Sequence, residues 1–408
     1  MKKRLFILAT IILLFTSPVF AGVDFNVGDA KATLGASVWV EAGWDYQFHG
    51  DVPTDTISDK ETQQYIAIDD PSNINLKVDY KNLKGYTEIR FNNGADYNIE
   101  LYSIYGQYKF NDKNSILFGK APIVFSTMAP KQNLYNANCL DGYGGLDPWK
   151  RSFQVRYSYT GENFGLDFAL EQVKTDANIE DNYIENNALD GASFQVQNYL
   201  PGFVLNFTWK PLDILTINPS GYIQQYKLKP KGIVNINNTD VLTYALSLGI
   251  EANLKPVNIQ AEGWYGQNLS VLEGIDARPA FFDPIYINGE DNYLTYMGTP
   301  QWDENKLKDV ITYGGWLQVE MPINNFTPRI GGGYQRSSTG IVEEGYERHI
   351  FTWSAFANCD IKIKDYLTVC PEFLYMYNGK DADKDFLGIG YNKLGYEAMG
   401  GVTMILSF

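Results

Sequence analysis

Basic residues gather around one glycine-rich stretch of this sequence. Lys77 and Arg90 precede it, Lys120 opens it, and Arg151 and Arg156 follow it. Inside it, NCLDGYGGLDPWK carries two acids, Asp141 and Asp147. Bases on one side of a gap and carboxylates on the other neither make nor break covalent bonds. They order water and orient charged or dipolar solutes passing between them. Catalysis has thinner material: the two histidines, His49 and His349, show no Ser–His pattern. The spacing of Cys and His is not of metal type, and the acidic stretches lack calcium-loop spacing. No enzyme activity, cofactor or metal is therefore expected.

Charges can face one another only if the elements carrying them point them inward. Alternation with a period of two runs along nearly the whole chain. In 32–48, Leu34, Ala36, Val38, Val40, Ala42, Trp44, Tyr46 and Phe48 alternate with Gly35, Ser37, Trp39, Glu41, Gly43, Asp45 and Gln47. Residues 240–254, 256–269, 310–321 and 326–335 repeat the pattern, with one apolar face and one polar face. Such runs exceed the ~5–6 residues of ordinary strands and suit the ~9–11 of a tilted membrane strand. By parity Lys77, Arg90, Lys120 and Arg156 share the polar, inward face, with Arg151 at the exit of the glycine-rich stretch. So do Trp39, Trp264 and Trp316. Inward residues elsewhere are acidic: Glu41, Asp45, Asp167, Glu171, Glu251, Glu262, Glu320, Glu372 and Glu397, with Arg329 the main exception.

The connections alternate in length. Short turns fall at 81–84, 111–114, 161–163, 210–213, 255–256, 322–325 and 362–365. Long links fall at 50–72, 120–150, 174–202, 229–239, 270–308, 337–347 and 379–395, with 92–98 a shorter member of that set. This predicts an all-β fold: a transmembrane antiparallel up-and-down barrel of about 16 strands, with short periplasmic turns and long outer loops. A weak strand-like piece at 193–198 would make the count odd, so it is placed within a loop.

Other features agree. Residues 1–21 read as a signal peptide: basic Lys2, Lys3 and Arg4, an apolar run, then Val19-Phe20-Ala21. That leaves 22–408 as a single barrel domain exported to the bacterial outer membrane. The formal net charge of −15 disfavours nucleic-acid partners. Aromatic residues cluster at strand ends, as two membrane-interface girdles require: Trp44, Tyr46, Phe48, Tyr265, Tyr334, Tyr375 and Tyr377 on one side, and Phe110, Tyr159, Phe164, Trp209, Phe326, Tyr366 and Phe408 on the other. EAMGGVTMILSF alternates up to its last residue, with Met399 and Ile405 interrupting. It reads as a final strand that closes on the first. Cys359 and Cys370 fall on opposite faces of neighbouring strands, so these two and Cys139 are expected as unpaired thiols.

The stretch SILFGKAPIVFS…NCLDGYGGLDPWKRSFQVRYSYTGENFGLDFALE joins a strand ending in Phe-Gly-Lys, a glycine-rich loop, an Arg-bearing strand, a tight turn and another amphipathic strand. With the barrel pattern, it resembles the general-diffusion porins of Gram-negative outer membranes, a superfamily of 16-stranded trimeric barrels. The resemblance implies that the loop after the fifth strand, 120–150, folds into the lumen as a constriction. Asp141 and Asp147 would then be its acidic side, and Lys77, Arg90, Lys120, Arg151 and Arg156 the basic wall. It implies a homotrimer in contact with lipid and lipopolysaccharide, passing small hydrophilic solutes and ions. Phe408 resembles the terminal signal read by the outer-membrane assembly machinery. Two other readings keep the same barrel. One is a substrate-specific channel for sugar, phosphate or organic acid, for which Trp39, Trp264 and Trp316 could form an aromatic path. The other is a plugged surface or adhesion protein. An arginine at outward Leu246 is expected to block assembly, and one at inward Ser247 to be tolerated.

Overall fold

A computed structural model of the chain describes residues 22–48, 60–68, 71–91, 99–134, 139–146, 151–172, 193–198, 200–231, 239–269, 285–287, 290–292, 301–303, 306–343, 346–377 and 395–408. The expected signal peptide, the 92–98 link and Asp147 lie outside them. The wall of the barrel has 16 strands. They are β1 (Ala30–Phe48), β2 (Asn73–Tyr80), β3 (Leu83–Phe91), β4 (Ile99–Lys109), β5 (Asn114–Pro122), β6 (Arg151–Thr160), β7 (Phe164–Gln172) and β8 (Gly202–Leu212). They continue as β9 (Leu215–Lys231), β10 (Thr239–Asn253), β11 (Asn258–Gln267), β12 (Ile311–Glu320), β13 (Phe326–Glu343), β14 (Tyr346–Lys364), β15 (Leu367–Tyr377) and β16 (Tyr396–Ser407).

Each strand pairs antiparallel with the next, and β16 returns to β1 from Ser37↔Ser407 to Phe48↔Tyr396. The seam runs to the last residue: the Phe408 N–H donates to the Ala36 carbonyl at 2.8 Å, and the Ala36 N–H donates back at 2.5 Å. Ring closure satisfies backbone groups that an open sheet would leave bare.

Three shorter pieces extend the wall. Val23–Val27 pairs with the foot of β1, below the point where β16 stops. Ser193–Asn198 pairs with the upper part of β9 above β8, so the loop segment is a strand but adds nothing to the ring. Lys60–Ile68 pairs with the upper half of β1 above β2. The expectation of a plain link over 50–72 is corrected there. Most of KETQQYIAI is polar, so it carries little alternation of its own; pairing with β1 fixes it. The wall is low over β2–β7, whose strands have 8 to 11 residues, and tall at β9, β13 and β14, with 17 to 19.

Parity decides the two faces. On β10, Leu242, Leu246, Leu248 and Ile250 are exposed on the outside, while Thr243 and Ser247 are buried on the inside. An apolar exterior over a polar interior is what lipid outside and water inside demand. Aromatic rings form the two expected belts. One runs Tyr46–Tyr396–Tyr375–Trp353–Tyr377–Phe351–Tyr334, with neighbouring centroids 5.3 to 6.2 Å apart. At the short-turn end, Tyr159, Phe164 and Phe207 follow one another at 5.1 and 6.0 Å. Cys370 is buried inside and accepts from Asn133 Nδ2 at 3.1 Å, whereas Cys359 sits on the other face, and no bond joins them.

Candidate functional site

The chain leaves the wall at Pro122, the end of β5, and enters the lumen. It then follows the inner wall around the ring. The Val124 carbonyl accepts from Asn206 Nδ2 of β8 at 2.8 Å. The Ser126 N–H donates to Ser220 Oγ of β9 at 3.1 Å, and Ser126 Oγ to Glu262 of β11 at 2.9 Å. The Lys131 N–H donates to Gln318 of β12 at 2.8 Å, and its Nζ pairs with Glu320 at 2.9 Å. The Asn133 N–H donates to Glu372 of β15 at 2.9 Å. After residues 135–138, which lie outside the described set, the chain doubles back. Thr352 of β14 donates to the Gly142 carbonyl at 2.6 Å, and Trp264 Nε1 of β11 to the Gly144 carbonyl at 2.8 Å.

The return pass lies flush because it meets glycine. Gly144 has φ +111°, and a Cβ there would stand 2.4 Å from the Gly315 carbonyl oxygen and 2.4 Å from the Tyr334 nitrogen. A side chain would push the loop off β12 and β13.

Apolar contacts reinforce the hydrogen bonds. Val124, Phe125 and Leu146 pack with Ala169, Val204, Tyr222, Ala245, Trp264 and Leu269. Leu134, Leu140 and Tyr143 pack with Trp316, Phe356, Leu374, Met376 and Met399. The hydrophobic core of this protein thus lies between loop and wall. Burial holds the Tyr143 phenol well above its usual pKa, so it stays neutral there. Trp264 and Trp316 face inward as predicted, but both are 4% exposed beneath the loop. The aromatic path expected from them is corrected: they hold the loop. Trp39 stays half-buried on β1, its Nε1 donating to Ser37 Oγ at 3.0 Å.

Among the described residues, the loop packs against the wall from β7 round to β16 and on to Tyr65 beside β1, away from β2 to β5. The predicted bases stand on β2 to β6, but Lys120 pairs across strands with Ile104 and Phe153, both exposed on the outer face, so its expected inward parity is corrected. Sequence reasoning missed the residue that organises them, Tyr102. Glu88 pairs with Ser103 and Ile89 with Leu101, so Tyr102 is the extra residue of a bulge. Leu101 and Ile104 are exposed outside, while Tyr102 and Ser103 are both buried inside. The Arg90 guanidinium lies 3.4 Å from the Tyr102 ring centroid and that of Arg151 lies 4.4 Å from it. Arg90 is 7% exposed and paired with Glu88 at 3.1 Å. Arg151 donates to Ser103 Oγ at 3.3 Å. Lys120 pairs with Glu100 at 2.8 Å and lies 6.0 Å from the Tyr102 ring. The predicted basic wall thus contains a closed cation–aromatic cluster. The signal for it was the run Ile99, Leu101, Ile104, where outward apolar residues shift from odd to even positions.

Arg156 and Lys77 stand apart from that cluster. Arg156 reaches the Pro122 carbonyl with a long 3.5 Å bond. Lys77 is exposed, cross-strand to Tyr86. Asp141 sits in the return turn of the loop, bridged to Gly145, near the β12–β14 wall. That wall is about half the ring away from β3–β6.

A ring of 16 antiparallel strands, apolar outside and polar inside, with the loop after the fifth strand laid within it, is the porin fold, and the chain has it. Similar solved structures include an anion-selective porin from Comamonas acidovorans (9% identity, TM-score 0.55, 93% of this chain and 100% of that one). OmpF of Salmonella typhi in complex with daunomycin matches at 11% identity and TM-score 0.53, covering 95% of this chain and 100% of that one. A loop L8 deletion mutant of OmpT, an outer membrane protein of Vibrio cholerae, matches at 12% identity and TM-score 0.53, covering 93% and 100%. At such identities the likeness is one of fold. No family model and no curated protein sequence matches the chain.

Proposed function

We propose that the chain is an outer-membrane channel for passive diffusion of small hydrophilic solutes and ions. The observation that carries this reading is the one-sided course of the loop. It narrows the lumen along β7–β16 and past Tyr65 beside β1, away from the largely polar inner face of β2–β5. A plug would be expected to bond to both sides. Asp141 on the loop side and the bases of the facing wall together favour weak ion selectivity. A homotrimer is proposed from the porin likeness, and lipid with lipopolysaccharide would surround the outer belt. The protein acts by passage and not by catalysis. Liposome swelling tests the reading: vesicles containing the folded protein should swell in arabinose and progressively less in larger sugars. Vesicles that swell no faster than empty ones would refute it.

A further inference from the structure

The predicted basic residues divide into two kinds. Arg90, Arg151 and Lys120 converge on Tyr102 and are held by Glu88, Ser103 and Glu100. Among the described residues, Arg156 has no such partner. Its Nε is buried without a hydrogen-bond partner, and its Nη1 has only the 3.5 Å bond to the Pro122 carbonyl. Glu171 is within electrostatic reach, but it accepts from Ser152 and from the Val124 N–H instead. A guanidinium presents five donors in a planar fork that suits a carboxylate.

Across its strands Arg156 stands beside Leu117 of β5 and Ala169 of β7. Its row continues through Leu117 to Gln107 of β4, and Tyr105, two residues further along β4 on the same face, interacts with Arg156 electrostatically. Tyr105 lies 5.3 Å from Tyr86, with the rings inclined by 36° and both half-buried on the lumen face. Lys77, Tyr86, Tyr105 and Gly119 lie in one row across β2 to β5. Arg156 starts at the level of Leu117 and reaches towards Pro122, past Gly119, whose φ of +134° brings its backbone so close to β4 that a Cβ would stand 2.2 Å from the Ile104 carbonyl oxygen. The tyrosine pair and the under-used guanidinium thus face the lumen from the same stretch of wall, β3 to β6.

We propose that Arg156, Tyr105 and Tyr86 form a lumen subsite for small carboxylates that carry a flat aromatic ring. The carboxylate meets Arg156 and is drawn by Lys77; the ring lies against the tyrosines. This rests on the channel reading and narrows it to a preferred solute class.

Benzoate is the probe, with acetate as the ringless comparison. In planar bilayers at neutral pH, benzoate should reduce the single-channel chloride-salt current well below what equal acetate does. Arg156→Gln should weaken the benzoate effect about tenfold. Tyr105→Leu should weaken it roughly threefold while leaving the acetate effect unchanged. Arg156→Lys, which keeps the charge without the fork, should fall between. Equal effects of benzoate and acetate, or a benzoate effect indifferent to Arg156→Gln, would overturn the subsite while leaving the channel standing. Calorimetric titration of the detergent-folded barrel reads the subsite even if no current flows. Benzoate heat lost in Arg156→Gln would then support it, heat unchanged would overturn it, and the missing current would count against the channel alone.

Discussion

At the residue scale, direction decides the role. Leu246 is 59% exposed on the outer face, so Leu246→Arg should cost ~2–4 kcal/mol and block insertion. The inward control needs more care than parity suggests. Ser247 faces inward but is buried, hydrogen-bonded to Ser220 at 2.7 Å in the strip where the loop docks. An arginine at Ser247 would collide with the loop, so the expectation that it is tolerated is corrected. Gln107, half-buried on β4 away from the loop, is the proper control, and Gln107→Arg should assemble as wild type. Heat-modifiable migration on gels reads both. Parity foresaw the inward face of Arg156, but it could not foresee Tyr102, because one bulged residue reverses the count on β4. Nor could it separate the held bases from Arg156, since that depends on Glu88, Glu100 and Ser103 arriving from other positions in the wall.

The loop is the element on which function turns. Its sequence announced little beyond glycine and acid, but the wall carried its footprint. Met399, which interrupts the alternation of the last strand, packs under Leu140 and Tyr143, and the inward Leu374, Met376 and Phe356 share that cluster. An inward apolar residue looks like an error in a barrel strand until something lies on it. The inward acids Glu262 and Glu372, read from sequence as lumen charge, are acceptors for the loop's Ser126 hydroxyl and Asn133 N–H. Removing such an acceptor strands a buried donor at about 1–3 kcal/mol. The double variant Glu262→Ala, Glu372→Ala should therefore loosen the loop and raise single-channel conductance, with an intact barrel by circular dichroism. Gly144→Val should do the same by steric means, since its side chain would meet Gly315 and Tyr334. Unchanged conductance in both would remove the loop from the constriction.

Over the whole molecule, the seam between β1 and β16 makes a sheet into a barrel. Alternation and the rhythm of short and long links made the 16-strand ring legible, because each strand's faces and each turn are local features. The heights of the wall and the added pieces Val23–Val27 and Lys60–Ile68 were not legible, because they exist only through pairing with β1. Ala42 pairs with Val402 on one side and Ile66 on the other. Proline there removes a ladder donor from the seam that closes the ring. Ala42→Pro should leave the chain unable to close, seen as loss of the heat-modifiable folded form.

Single-channel conductance with reversal potential, measured on purified protein in a planar bilayer under a salt gradient, tests the channel claim most directly. The account predicts discrete steps that close in threes with weak ion selectivity. A folded, inserted protein that passes no current would contradict it.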